Sequence, residues 1–221
     1  MNRYVKILCA VVVLVCCAVC LRGPAARVLR HFGIIKSYYE KKLGEFRAMT
    51  RRTGGIVFLG DSITDFLDFD EFLPAHHVIN RGIAGDTTHG VLYRLGEVIS
   101  LRPRKLFILI GTNDIPHKLD TLGNIREIVS RLREGTPETK IYLQSIFPTS
   151  YMHDRPNPKI MALNEGIKSI ASEAGCEYLN VYPKMLDSDG NLADEYTTDG
   201  LHLSRAGYAV WMDFVAPYLN E

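Results

Sequence analysis

Apolar residues fall into two kinds of run along this chain. Ile56 to Leu59, Lys105 to Ile110 and Ile141 to Ile146 are largely apolar stretches without strict alternation, and the first two stop at a glycine. Such runs predict strands buried on both faces. Val78-Ile79-Asn80 and Tyr178 to Val181 read as shorter strands of the same kind. Between these runs the apolar positions recur every three or four residues. Gly90 to Leu101, Leu122 to Leu132 (Leu122, Ile125, Ile128, Val129, Leu132) and Ile160 to Ala174 are therefore predicted helices. Ser204 is placed as an N-cap, opening a last helix to about Leu219. Buried strands alternating with helices imply an α/β fold, with a parallel sheet covered on both faces.

The front of the chain follows a different pattern. Ile7 to Leu21 is an uncharged, mostly apolar run of fifteen residues between Lys6 and Arg22. About twenty residues span a bilayer comfortably, so the run reads as a signal peptide core or a short anchor. Residues 1–24 are expected to be this segment, and export with an uncleaved anchor over 5–21 is preferred to cleavage. The catalytic domain is then expected outside the cytoplasm. In 25–52, Val28, Phe32, Ile35, Tyr39, Leu43 and Phe46 recur at helical spacing among lysines and arginines. This predicts a basic amphipathic linker helix that packs on the domain formed by 53–221.

Charge sharpens the division. The net charge of +1 combines eleven Lys/Arg and two acids in residues 1–52 with a formal −8 in residues 53–221. An acidic main domain argues against nucleic acid as partner, and a basic front end suits a membrane surface. Cys9, Cys16, Cys17 and Cys20 lie in the apolar run, leaving Cys176 alone in the domain, where it is expected to be a small core residue. No metal-type Cys/His spacing and no phosphate-cradling Gly-x-x-x-x-Gly-Lys-Ser/Thr loop is present.

In a parallel α/β sheet the site lies at the carboxyl ends of the strands. The first predicted strand ends in Gly60-Asp61-Ser62, the second in Asn80-Arg81-Gly82-Ile83-Ala84-Gly85-Asp86, and the third in Gly111-Thr112-Asn113-Asp114. Asp199-Gly200-Leu201-His202 precedes the last helix. Sheet logic gathers these groups at one edge: a hydroxyl, a glycine N–H, a side-chain amide, an imidazole and a carboxylate three residues from it. That set suits acyl transfer. Asp61, Asp86 and Asp114 are expected to bond nearby loop N–H groups rather than to react.

The four blocks, in this order, resemble the SGNH (GDSL) hydrolases over about residues 35–220. Within that family the chain looks most like compact esterases related to platelet-activating-factor acetylhydrolase catalytic subunits and to carbohydrate O-acetylesterases. Ile63 stands where the family name carries Leu. The resemblance implies a three-layer α/β/α, flavodoxin-like sandwich on a roughly five-stranded parallel sheet. It also implies a serine esterase that needs no metal or organic cofactor. Ser62 would be the nucleophile, His202 the base and Asp199 its orienting acid, with the oxyanion met by the Ser62 N–H, the Gly82 N–H and the Asn113 amide. Asp65, Asp68, Asp70 and Glu71 would disfavour highly anionic substrates if they rim the mouth. The longest candidate lid is Phe147 to Pro158, and with no long apolar cap a short acyl group such as acetyl is expected. An acetylated sugar and a lipid-like ester both fit as substrate. A longer-chain lysophospholipase, an acyltransferase of the same fold and a non-catalytic membrane-anchored binding module stay open as other readings, and the sequence does not reveal the oligomeric state.

Overall fold

The computed structural model describes residues 24–49, 53–151 and 153–220. The expected anchor over 1–24 thus lies outside the described residues, apart from Pro24. Among the described residues no helix is long and apolar enough to cross a membrane. The chain divides into two units, one up to Lys42 and one from Leu43 onward. Helix α1 (Pro24–Ala48) runs across that boundary. Its last turns, with Leu43 and Phe46 buried, belong to the larger unit. There the Phe46 ring lies 4.5 Å from the Arg81 guanidinium.

The larger unit is a three-layer α/β/α sandwich. Five parallel strands run in the order β2-β1-β3-β4-β5: β1 (Ile56–Gly60), β2 (Ile79–Gly82), β3 (Lys105–Leu109), β4 (Lys140–Gln144) and β5 (Glu177–Leu179). All five positions of β1 and of β3 are buried, as their largely apolar runs predict. Alternate residues sort to opposite faces. Val57, Leu59, Leu106, Ile108, Ile141 and Leu143 meet one helical layer, built from α4 (Thr88–Ser100), α6 (Thr121–Gly135) and α7 (Asn157–Glu173). Ile56, Phe58, Phe107, Leu109 and Tyr142 meet the other, where α8 (Arg205–Val215) contributes Trp211, Met212 and Val215. The short helices α2 (Ser62–Asp65) and α3 (Phe69–Phe72) lie on that second face, and α5 (Asp114–His117) and α9 (Pro217–Asn220) are single turns.

The helices begin where polar caps sit. Thr87, Asp120 and Ser204 accept from Gly90, Gly123 and Gly207 N–H and open α4, α6 and α8. The last helix differs from its expected extent: it breaks after Val215, and Pro217 begins a separate turn. Proline lacks the N–H that an unbroken helix needs there. Cys176 is half-buried at the edge of the core rather than within it, 3.4 Å from Arg133 Nη2.

Strand order reverses at β1, which has β2 on one side and β3 on the other. Such a switch point opens a crevice beyond the strand ends. Gly60 pairs with Gly82 and with Leu109, so the three ends are level.

Candidate active site

The chain leaves β1 through Asp61 and turns at once into α2. Asp61 Oδ1 caps the turn by accepting from Ile63 N at 3.0 Å. Ser62 therefore holds the first helical position, where a backbone N–H has no partner inside the helix. The Tyr208 hydroxyl donates to Ile63 O at 2.9 Å and fastens the turn to α8.

The structure brings the three separated side chains together. His202 Nε2 lies 3.0 Å from Ser62 Oγ, and His202 Nδ1 lies 2.6 Å from Asp199 Oδ2. Since Asp199 accepts at Nδ1, the proton sits there, and the Nε2 lone pair faces the hydroxyl. Asp199 Oδ1 also accepts from Leu201 N and His202 N, which folds the loop so that a three-residue separation can reach. Burial pushes the Asp199 carboxyl up, but the bonds from His202 and the two backbone N–H groups outweigh it and bring the pKa to about 2. Asp199 stays ionised, and its side chain is 51% exposed. Ser62 is 6% exposed, and the Phe66 ring stands 5.5 Å from the His202 ring.

One expected donor is corrected. The Gly82 N–H is engaged: it donates to Asn80 Oδ1 at 2.8 Å, while Asn80 Nδ2 donates to Thr64 O at 2.9 Å. Gly82 is needed for close packing, because a Cβ there would come within 2.2 Å of Asp65 N. The glycine that offers an N–H is Gly85. It lies in a turn closed by Asp86 N donating to Ile83 O, with φ +79°, a conformation glycine adopts freely. Among the described residues neither Ser62 N nor Gly85 N has a hydrogen-bond partner. Asn113 leaves the end of β3 and donates from Nδ2 to Asp86 O, one residue beyond Gly85.

Two arginines that pattern reading passed over support this edge. Arg94 Nε lies 2.8 Å from Asp86 Oδ2, and Nη2 donates to Gly60 O and Arg81 O. It therefore ties the ends of β1 and β2 to the turn holding Gly85. The signal was present: Arg94 sits in the Val91, Leu95, Val98 stripe, where a charge enters the core only if it has partners. Arg155 Nη2 donates to Asn113 Oδ1 at 3.1 Å, and nothing in its local sequence marked it.

The acids behave as structural groups. Asp65 accepts from Ala84 N, Asp68 caps α3, and Glu71 pairs with Arg205. Three of the four carboxylates expected at the mouth are thus held by neighbours. Asp86 and Asp114 bond loop N–H groups of Thr87 and Thr88, as expected for acids in such turns.

Asp61 is different in one respect. Burial pushes its pKa up to about 7, with Asp86 and Asp114 adding to the rise and the Ile63 N–H and Arg155 opposing it. A carboxyl whose pKa is raised on folding favours the folded state below its unfolded value near 4, and that advantage is lost as pH rises towards 7. Asp61→Asn keeps the acceptor for Ile63 N and removes the ionisation. Its stability relative to the parent is expected to improve by about 2–4 kcal/mol between pH 4 and pH 8. Urea unfolding at several pH values would measure this, and an unchanging gap would show that Asp61 ionises normally.

Comparison with known proteins gives a consistent result. The model of the GDSL-like Lipase/Acylhydrolase family matches residues 58–210. The platelet-activating factor acetylhydrolase IB subunit alpha1 of Pongo abelii is 32% identical over 165 residues, covering 70% of each chain. A Streptococcus pneumonia protein named for platelet activating factor has the same fold at TM-score 0.84 and 31% identity, over 89% of this chain and all of that one. A GDSL-like lipase from Bacteroides thetaiotaomicron superposes at TM-score 0.71 and 26% identity, over 82% of this chain and 97% of its own.

Proposed function

This chain belongs to the GDSL-like Lipase/Acylhydrolase family and is a carboxylic ester hydrolase, and we propose that it releases short acyl groups, acetyl above all, through Ser62, His202 and Asp199. The observation that carries this reading is the unbroken hydrogen-bond chain from Ser62 Oγ through His202 to Asp199. Serine is a weak nucleophile until a base takes its proton. His202 Nε2 takes it as Oγ bonds to the ester carbon, and Asp199 stabilises the resulting imidazolium. Negative charge moves to the carbonyl oxygen. The donors available to it are the Ser62 N–H, the Gly85 N–H and the remaining N–H of the Asn113 amide. The C–O bond to the alcohol then breaks, and His202 returns the proton to the leaving oxygen. Water repeats the sequence on the acyl-enzyme, restoring Ser62 and releasing the acid.

The preference for a short acyl group rests on the surroundings of Ser62. Among the described residues the large exposed apolar side chains are Met49, Phe66, Tyr93, Leu119, Tyr151 and Met161, and Phe66 alone of these packs against the His202 ring. One aromatic wall suits an acetyl or similarly short chain, whereas a fatty chain needs an extended apolar channel. The acetylhydrolase relatives are named for the same acyl group. In the stretch expected as a candidate lid, Thr149, Ser150 and Arg155 are held by hydrogen bonds to Asn157, Gly200 and Thr112.

Hydrolysis of p-nitrophenyl esters from acetate to palmitate tests the reading. We expect kcat/KM to be highest at acetate or propionate and to fall by at least about tenfold by octanoate. The scale follows from the 1–3 kcal/mol that a single methylene can decide in a fitted pocket. A maximum at octanoate or beyond would replace the acetyl reading with a lipid acylhydrolase.

A further inference from the structure

The Asn113 side chain is held at both ends by groups of fixed polarity. Its Oδ1 receives a bond from Arg155 Nη2 at 3.1 Å, and its Nδ2 donates to Asp86 O at 2.9 Å. A guanidinium can only donate and a carbonyl oxygen can only accept. The amide therefore has one admissible orientation, with its second N–H left over. Turned the other way, its NH₂ would face the cation and its oxygen the carbonyl.

Arg155 is itself fixed. Nε donates to Thr112 O at 3.1 Å, Nη1 bonds Asp154, and the side chain is 13% exposed. It is 42 residues from Asn113 in sequence and comes from the segment between β4 and α7. That segment is anchored at Thr149 N, which donates to Asn157 Oδ1 at 2.8 Å. It is anchored again at Ser150 N, which donates to Gly200 O at 2.9 Å, beside Asp199.

We propose that Arg155 is a positioning residue for the ester hydrolysis: by fixing the Asn113 amide through Oδ1, it aims the free N–H at the developing oxyanion. This rests on the reading of Asn113 as an oxyanion donor. Arg155 need not touch substrate. An amide aimed at charge that appears only in the transition state raises kcat and leaves ground-state binding nearly unchanged. Without the guanidinium the amide has one anchor left, and its N–H is no longer held in the direction the oxyanion needs.

The test is kcat and KM on p-nitrophenyl acetate for the full chain, Asn113→Ala, Arg155→Met, Arg155→Lys and the Asn113→Ala/Arg155→Met double variant, each with its melting temperature. Asn113→Ala is expected to lower kcat about 10²–10³-fold. Arg155→Met is expected to lower kcat about 10–50-fold with KM within about twofold, since the lost effect belongs to the transition state. The double variant should be no slower than Asn113→Ala alone, because Arg155 acts through a group already removed. Arg155→Lys should recover part of the loss, as one N–H can still reach Oδ1 although the fork to Thr112 O is gone. If Arg155→Met does not fold, Arg155→Lys and Arg155→Gln in both Asn113 backgrounds read the same coupling. Losses that multiply in the double variant, a raised KM at constant kcat, or a normal kcat in Arg155→Met would each overturn the proposal. A slow Asn113→Ala beside a normal Arg155→Met sinks the role of Arg155 alone. A fully active Asn113→Ala sinks both.

Discussion

Ser62→Ala is expected to reduce ester turnover by about 10⁴–10⁶-fold while the protein unfolds at nearly the parent's temperature. In the proposed mechanism the hydroxyl carries the bond to the acyl group. The change removes one oxygen from a residue 6% exposed. It leaves intact the Asp61–Ile63 bond that shapes the turn. His202→Gln should fall by a similar factor, and Ser62→Ala/His202→Gln no further than either alone, because the two act as one unit. Asp199→Asn should lose less, about 10²–10⁴-fold. Its proposed role is to hold the Nδ1 tautomer and stabilise the imidazolium, and at 51% side-chain exposure water can take over part of that role. Burst kinetics with p-nitrophenyl acetate would separate acylation from deacylation. Residual activity of Ser62→Ala above about 1% of the parent would place the nucleophile elsewhere, since a serine nucleophile leaves far less behind.

The second large effect is on stability. Arg94→Met is expected to destabilise the fold by about 3–5 kcal/mol, lowering the melting temperature by roughly 6–20 °C. Arg94 and Asp86 have side chains 0% and 1% exposed, so removing the cation strands a carboxylate in the core. It also removes the Nη2 bonds to Gly60 O and Arg81 O, of which Gly60 O keeps the bond from Ile83 N. The pair itself need not be strongly stabilising. The cost lies in breaking it, because each charge has already been taken out of water. Arg94→Met/Asp86→Asn should therefore recover part of the loss by removing the orphaned charge. Thermal and urea unfolding of the three variants would measure this, and a loss below about 1 kcal/mol in Arg94→Met would mean water reaches the site.

The same residues show how far sequence reading extends. Strands and helices were legible because their signals are local. A strand buried on both faces needs an unbroken apolar run, and a helix against a sheet needs an apolar stripe every three or four residues. The level strand ends follow from parallel pairing, so Ser62 and Asn113 could be assigned to one edge without knowing a single distance. Asp199 and His202 could be paired because a three-residue loop is short enough for its own side chains to meet.

Chemistry that depends on a particular hydrogen bond was not legible. Two glycines, Gly82 and Gly85, lie three residues apart at the end of β2. Sequence gives both an N–H and no Cβ, and only the folded chain shows that Asn80 engages the first, while the second has no hydrogen-bond partner among the described residues. Arg155 reaches Asn113 across 42 residues. Periodicity records which face of an element is buried. It does not record which polar group on a distant loop will be satisfied by which, because that is settled when the layers close and each buried donor and acceptor must find its partner.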